Sequence, residues 1–248
     1  MSPPADHEIG SPETDWAEFA AVSSMVNHWD RPGWRPGRMA YYWYLGFGDQ
    51  PEVRALAGRC QDVIAAPHFD LVDGSELHMT LEHVGVAEDV DAERLRVVQR
   101  SADRLLTGFG PLEITIGPLA GSTGALRFSA EPRDRLNALR SFLVLANHES
   151  GIPVDSEEQP FRPHVGIAYC NRNTDARPIV AQVETLRTLP RVNVCISEAL
   201  LVALTRNERS YSWEAVHRIP LTLAPESTGQ GSMTNVRSTD PPSSTSNS

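Results

Sequence analysis

With 248 residues and not one lysine, this chain cannot carry out Schiff-base chemistry, lysyl-adenylate ligation or P-loop phosphate binding, which all need that side chain. Its net charge of −10 argues against non-specific binding to long duplex nucleic acid, yet a small phosphorylated ligand or an RNA end needs only a local positive pocket. Three scattered cysteines in no zinc spacing, no apolar run near the roughly 18 residues that span a bilayer, and no secretory signal predict a reduced, cytoplasmic protein without membrane contact.

Residues 1–15 are polar and Pro-rich, and from about residue 222 to 248 the chain is Ser, Thr, Pro and Gly with no apolar period, so both ends are expected to be disordered. The folded part is then 16–221. Met39 to Phe47 is aromatic-rich and reads as a strand, and Pro51 to Ala66 has helical spacing with proline at its start. Leu77 to Val84 is a strand. Ala92 to Leu106 is an amphipathic helix closed by Gly108. Leu112 to Ile116 and Ala125 to Ala130 flank a Gly/Ser/Thr turn and read as paired strands. Asp134 to Ser150 is a second amphipathic helix, His164 to Tyr169 a strand, and Ala176 to Leu189 a helix confined at its start by Pro178. Val192 to Thr205 and Trp213 to Ile219 close the pattern as antiparallel strands. A helix leading into a strand that opens with histidine occurs twice, which predicts an α+β fold of two similar lobes.

Those two strands carry the chemistry. In Leu77-His78-Met79-Thr80-Leu81, alternation projects His78 and Thr80 together and turns the apolar residues inward. In Arg162 to Tyr169, Arg162, His164, Gly166 and Ala168 share one face, and Val165, Ile167 and Tyr169 the other. Either strand alone also reads as a half-exposed strand with incidental polar residues. Together they match what phosphodiester cleavage needs. One imidazole activates the attacking oxygen and the other protonates the leaving one, both titrating near neutrality. Thr80 and Arg162 are placed to hold the non-bridging oxygens. No metal or other cofactor is required.

The paired elements, 86 residues apart, resemble those of the 2H phosphoesterase superfamily, in particular the bacterial 2′-5′ RNA ligases, or RNA 2′,3′-cyclic phosphodiesterases. Leu77 to Gly85 resembles that family's Leu-His-x-Thr-x-x-x-x-Gly element, and Phe161 to Tyr169 its Pro-His-Val-Ser-Ile-Ala-Tyr element. Arg31 to Arg38, ahead of an aromatic strand, is similar to the actinobacterial branch. The resemblance implies a bilobal, pseudo-twofold fold around a V-shaped cleft. It also implies metal-independent hydrolysis of a 2′,3′-cyclic phosphate to a 2′-phosphate, or reversible 2′-5′ ligation. It assigns His164 as base toward water and His78 as acid to the leaving oxygen, or the reverse, in a monomer whose substrate is a nucleotide or RNA terminus. The chain departs from the pattern at Gly166, where the second motif should present a hydroxyl. That leaves open a weakened enzyme, a nucleotide-binding protein without turnover, or room for a bulkier ligand.

Other residues are weighed in the same way. His78, Glu82 and His83 suggest zinc only superficially, because His78 and His83 fall on opposite faces of a regular strand. No G-x-S-x-G element supports a serine hydrolase. Trp29 to Arg38 interleaves aromatic and basic residues, which could stack bases or pack onto the domain. Tyr42 and Tyr44 share one face of their strand and Tyr41 and Trp43 the other, so one pair borders the cleft and the other is core. Tyr169 is expected in the core by alternation, and His28, His68, His148 and His217 at the surface or in packing.

Overall fold

The computed structural model describes residues 10–64, 67–153 and 160–223. Residues 1–9 and 224–248 of the two expected tails lie outside the described residues. The rest of the N-terminal stretch is no tail. It enters helix α1 (Pro12–Ala20), where the Ser11 side chain accepts from the Thr14 amide and the Thr14 hydroxyl accepts from the Ser11 amide. That reciprocal cap, with proline in the first turn, starts the helix. Asp15 is buried, and its Oδ2 accepts from Ser129 at 2.6 Å and from Arg133 at 2.5 Å. The sequence concealed this because an acidic residue buried in an ion pair looks the same as a solvated one.

The chain continues through β1 (Ser24–Met25), β2 (Met39–Gly46), α2 (Pro51–Ile64), β3 (Phe69–Leu71), a 3₁₀ turn at Gly74–Glu76 and β4 (His78–Val86). Then come α3 (Ala92–Leu105), β5 (Leu112–Gly121), β6 (Ala125–Glu131), α4 (Arg133–Glu149), β7 (His164–Cys170) and β8 (Thr174–Asp175). The last elements are α5 (Arg177–Leu186), β9 (Val192–Ile196), β10 (Glu198–Arg206) and β11 (Tyr211–Pro220). The expected single strand from Val192 to Thr205 is thus two. Ser197 carries the chain from one sheet to the other, and periodicity cannot register such a crossing because both halves are apolar.

Two antiparallel sheets result. One is ordered β11-β10-β2-β4 and the other β3-β7-β6-β5-β9, with β1 and β8 forming a small ribbon beside them. The fold is α+β with one histidine strand in each sheet, as expected. The lobes interlock. Helix α2 leads into β4 yet packs in the lobe of β7, β9 and α5, whereas α4 leads into β7 yet packs against β4 and α3. Helix α2 buries Val53, Leu56, Ala57, Cys60 and Ile64 along one face, and α3 ends before Gly108, whose φ of 80° only glycine adopts without cost. The helices and the inner sheet faces share one core that includes Trp43, Leu45, Phe47, Met79, Phe128 and Leu143. A second, small cluster of Tyr44, Leu200 and Val202 lies on the opposite face of the first sheet, the one that borders the cleft.

Bulges decide which side chains reach the cleft. On β7, Ala168 pairs with Leu126 and Gly166 with Arg127, so Ile167 is an extra residue. Ile167 and Ala168 therefore both turn inward, and Tyr169 returns to the face of Gly166. On β4, Trp43 pairs with Glu82 and Tyr44 with Thr80, so Leu81 is the extra residue. Leu81 and Glu82 point inward, and His83 comes to the same face as Thr80 and His78. The expected opposition of His78 and His83 is corrected by that one inserted residue. Glu82 is turned away from both, buried and paired with Arg140 at 2.8 Å.

Candidate active site

His78, Thr80, His164, Gly166, Tyr42 and Tyr44 line one cleft of about 480 Å³ between the sheets. Both imidazoles are held the same way. Nδ1 of His78 donates to the Glu76 carbonyl oxygen at 2.7 Å, and Nδ1 of His164 donates to the Arg162 carbonyl oxygen at 2.7 Å. A carbonyl can only accept, so each Nδ1 carries the proton and each neutral Nε2 keeps its lone pair. The His78 ring stacks on Tyr44 with centroids 4.1 Å apart and planes 7° from parallel, and Trp213 meets it edge-on at 6.3 Å. The buried Tyr44 hydroxyl shares a hydrogen bond with Thr80. Of the two pairs on β2, Tyr42 and Tyr44 border the cleft. Trp43 is core, its Nε1 donating to Asn147 at 3.1 Å, and Tyr41 packs against that core.

Arg162 does not join them. Its guanidinium is bound by both carboxylate oxygens of Glu18, and it lines a neighbouring depression that His78 does not reach. Strand β7 begins at His164, so alternation could not be carried back to Arg162; its carbonyl orients His164 instead. The guanidinium that stands in the cleft beside His164 is that of Arg127 on β6, directly across from Gly166. Its signal was present in the sequence. In Ala-Leu-Arg-Phe-Ser-Ala a lone arginine sits on the small-residue face of a strand whose other face is apolar.

Tyr169 and His28 also belong to the cleft wall. The bulge exposes Tyr169 there, and His28 stacks on it at 4.2 Å. Arg31 donates to Nδ1 of His28 at 3.3 Å, so Nε2–H points to the Tyr211 hydroxyl at 3.0 Å. The Trp29–Arg38 segment divides between its two readings. Trp29 is buried, with Nε1 donating to Asp70 at 2.8 Å, while Arg31 and Trp34 line the cleft. His217 pairs with Asp103 at 2.8 Å, outside the cleft. Among the described residues no group of three or more His, Cys, Asp or Glu side chains is placed to hold a metal ion, and no helix is long and apolar enough to cross a membrane.

Burial disfavours the charged imidazolium, so His78 and His164 are each pushed down to about 4 and His28 to about 3. Arg127 adds to the depression at His164, and Arg31 and Arg206 to that at His28. The unfolded chain, with histidines near 6.5, binds more protons than the folded one from about pH 6.5 down to about pH 4. Stability is therefore full above 6.5 and falls as pH drops through that window. Lowering one histidine by a full pH unit corresponds to about 1.4 kcal/mol, so three such groups amount to several kcal/mol. The melting temperature should fall by roughly 5–15 °C between pH 7 and pH 4.5. The three imidazoles should also stay neutral by NMR down to about pH 5. A melting temperature flat across this range, or resonances titrating near 6.5, would show that the rings are not held as described.

Residues 49–208 match the family profile described as 2′-5′ RNA ligase superfamily. No curated protein matches the chain. Among solved structures, Escherichia coli LigT complexed with 3′-AMP superposes with a TM-score of 0.57 at 18% identity, covering 75% of this chain and 99% of that one. TT0787 of Thermus thermophilus gives 0.56 at 18%, covering 75% and 98%. LigT complexed with ATP gives 0.52 at 17%, covering 76% and 99%.

Proposed function

The chain belongs to the 2′-5′ RNA ligase superfamily, that is, to the 2H phosphoesterases, and we propose that it hydrolyses 2′,3′-cyclic phosphates of nucleotides or RNA ends by two-histidine acid–base catalysis. The observation that carries this reading is the matched pair of imidazoles in one cleft, each with Nδ1–H pinned to a backbone carbonyl and Nε2 left for chemistry. Water bound at Nε2 of His164 gives up its proton as its oxygen bonds to phosphorus. The P–O3′ bond breaks, and protonated His78 donates to O3′, leaving a 2′-phosphate. The same traffic of protons, with a 5′-hydroxyl attacking in place of water, would serve 2′-5′ joining.

The assignment of roles follows from charge. A bound phosphate anion raises both imidazoles, but Arg127 beside His164 holds that one lower, so the single proton resides on His78. If the Tyr44 hydroxyl donates to Thr80, the Thr80 hydrogen is left for a non-bridging oxygen. The wall of His28, Tyr169, Tyr211 and Trp34 offers aromatic surface to a nucleobase. LigT's crystallisation with 3′-AMP and with ATP suits a nucleotide in this cleft.

The test is turnover of 2′,3′-cyclic mononucleotides and short RNAs ending in a cyclic phosphate, in excess chelator. We expect 2′-phosphate products at undiminished rate. Tight binding of the same compounds with no product would favour a nucleotide-binding protein of this fold, a reading that the missing hydroxyl at Gly166 keeps open. Loss of turnover in chelator, restored by a divalent ion, would exclude the mechanism above.

A further inference from the structure

Gly166 removes a hydroxyl from the second motif, and the structure fills the gap from the adjacent strand. A Cβ built on Gly166 would meet only the Tyr169 hydroxyl, at 3.8 Å, so the position is open space facing the cleft. Arg127 stands directly across the β6–β7 ladder from it. Its Nη1 lies 3.4 Å from Nδ1 of His164, but the proton of that nitrogen is committed to the Arg162 carbonyl at 2.7 Å. A donor facing an N–H is a contact, not a hydrogen bond, so the guanidinium is not satisfied there.

The carboxylates of this region are also taken. Asp15 is held by Ser129 and Arg133, and Glu18 by Arg162. Among the described residues no carboxylate lies within ion-pair reach of Arg127. Its guanidinium lines both the histidine cleft and the depression next to it, so it sits where the two meet. A cation with unused donors beside a catalytic imidazole is a site for an anion.

We propose that Arg127 is the phosphate-binding group of the second motif, taking over from the hydroxyl absent at Gly166, and that the glycine is what leaves room for guanidinium and phosphate together. This deepens the proposed phosphodiesterase reading and rests on it for the reaction, but not for the binding of phosphate. The fork of Arg127 would hold two non-bridging oxygens while Thr80 holds the group from the opposite lobe. Positive charge from one side chain and a hydroxyl from the other replace the symmetric pair of hydroxyls.

The experiment uses Arg127→Gln, Arg127→Lys, Gly166→Ser and the Arg127→Gln/Gly166→Ser double variant, all in the full chain. Affinity for inorganic phosphate is measured by titration calorimetry, and turnover of a 2′,3′-cyclic nucleotide in parallel. Arg127→Gln should weaken phosphate binding by about tenfold or more and lower kcat/KM by roughly 100-fold. Serine at 166 should recover about tenfold in the Arg127→Gln background, a larger gain than it gives the parent. A purely structural arginine would show no such rescue across the strand. Should Arg127→Gln fail to fold, Arg127→Lys keeps the charge and loses the fork. It should still bind phosphate while turnover drops about tenfold.

The inference is overturned if Arg127→Gln binds phosphate and turns over within about twofold of the parent. Equal gains from serine in both backgrounds would overturn it as well. Phosphate binding that depends on Arg127 in a protein with no turnover would sink the phosphodiesterase reading and leave this one standing.

Discussion

Replacing either cleft histidine by alanine should lower turnover of a cyclic phosphate by a factor of roughly 10²–10⁴, with the circular dichroism spectrum of the parent. His78 and His164 sit on separate sheets, each oriented by one carbonyl bond, and neither ring is part of the main apolar core. Removing one leaves the partner, Thr80 and the cleft in place, so the loss reports proton transfer alone. The companion measurement is pH dependence. In the free protein both imidazoles titrate near 4, so the form with one protonated and one neutral is scarce above pH 5. The kcat/KM should then fall about tenfold per unit as pH rises from 5 to 7. The corresponding limb of kcat should lie at higher pH, because bound phosphate raises His78. Near-parental activity in either alanine variant, or a kcat/KM flat from pH 5 to 8 with chemistry rate-limiting, would falsify the two-histidine mechanism.

Asp15→Ala should destabilise the fold by about 3–5 kcal/mol. The ion pair with Arg133 is buried, each side chain about 4% exposed, and Ser129 donates to the same carboxylate oxygen. Desolvating two charges makes such a pair weak evidence of net stability. Breaking it by deleting one partner is another matter, because the Arg133 guanidinium is left in the interior without a counter-charge. Ser129 pairs with His164 across the ladder, so the same contact ties α1 to the base of the site. The denaturation midpoint in urea should shift with an unchanged m-value. A shift worth less than about 1 kcal/mol would mean that α1 is a loose appendage, as the polar composition of the first 15 residues had suggested.

The sequence was enough to identify most of the elements and the family. Period-2 patterns around His78 and His164, each preceded by an amphipathic helix, reveal two equivalent strands in an α+β fold. Histidine paired with histidine points to acid–base work on a phosphate, and the motifs resemble the family that the profile then matched. Thr80, Tyr42 and Tyr44 were found because the regular parts of their strands alternate without interruption.

What pairing adds is beyond a one-dimensional reading. A bulge inserts one residue into one strand opposite its partner, and every side chain beyond it changes face. Nothing local to Ile167 or Leu81 announces this, because the extra residue is specified by the strand across the ladder. Tyr169 and His83 were therefore assigned to the wrong sides, and the face of Ala168 was reversed. Arg127 stands in the cleft where Arg162 was expected for a related reason. Which guanidinium reaches a cleft depends on which carboxylates it meets first, and Glu18 captures Arg162 from a helix more than a hundred residues away in the chain. Composition and spacing determined what kind of chemistry this protein can hold. Only the packing of two interlocked lobes decided which arginine and which aromatic rings stand beside it, because face and partner are set by contacts between distant segments.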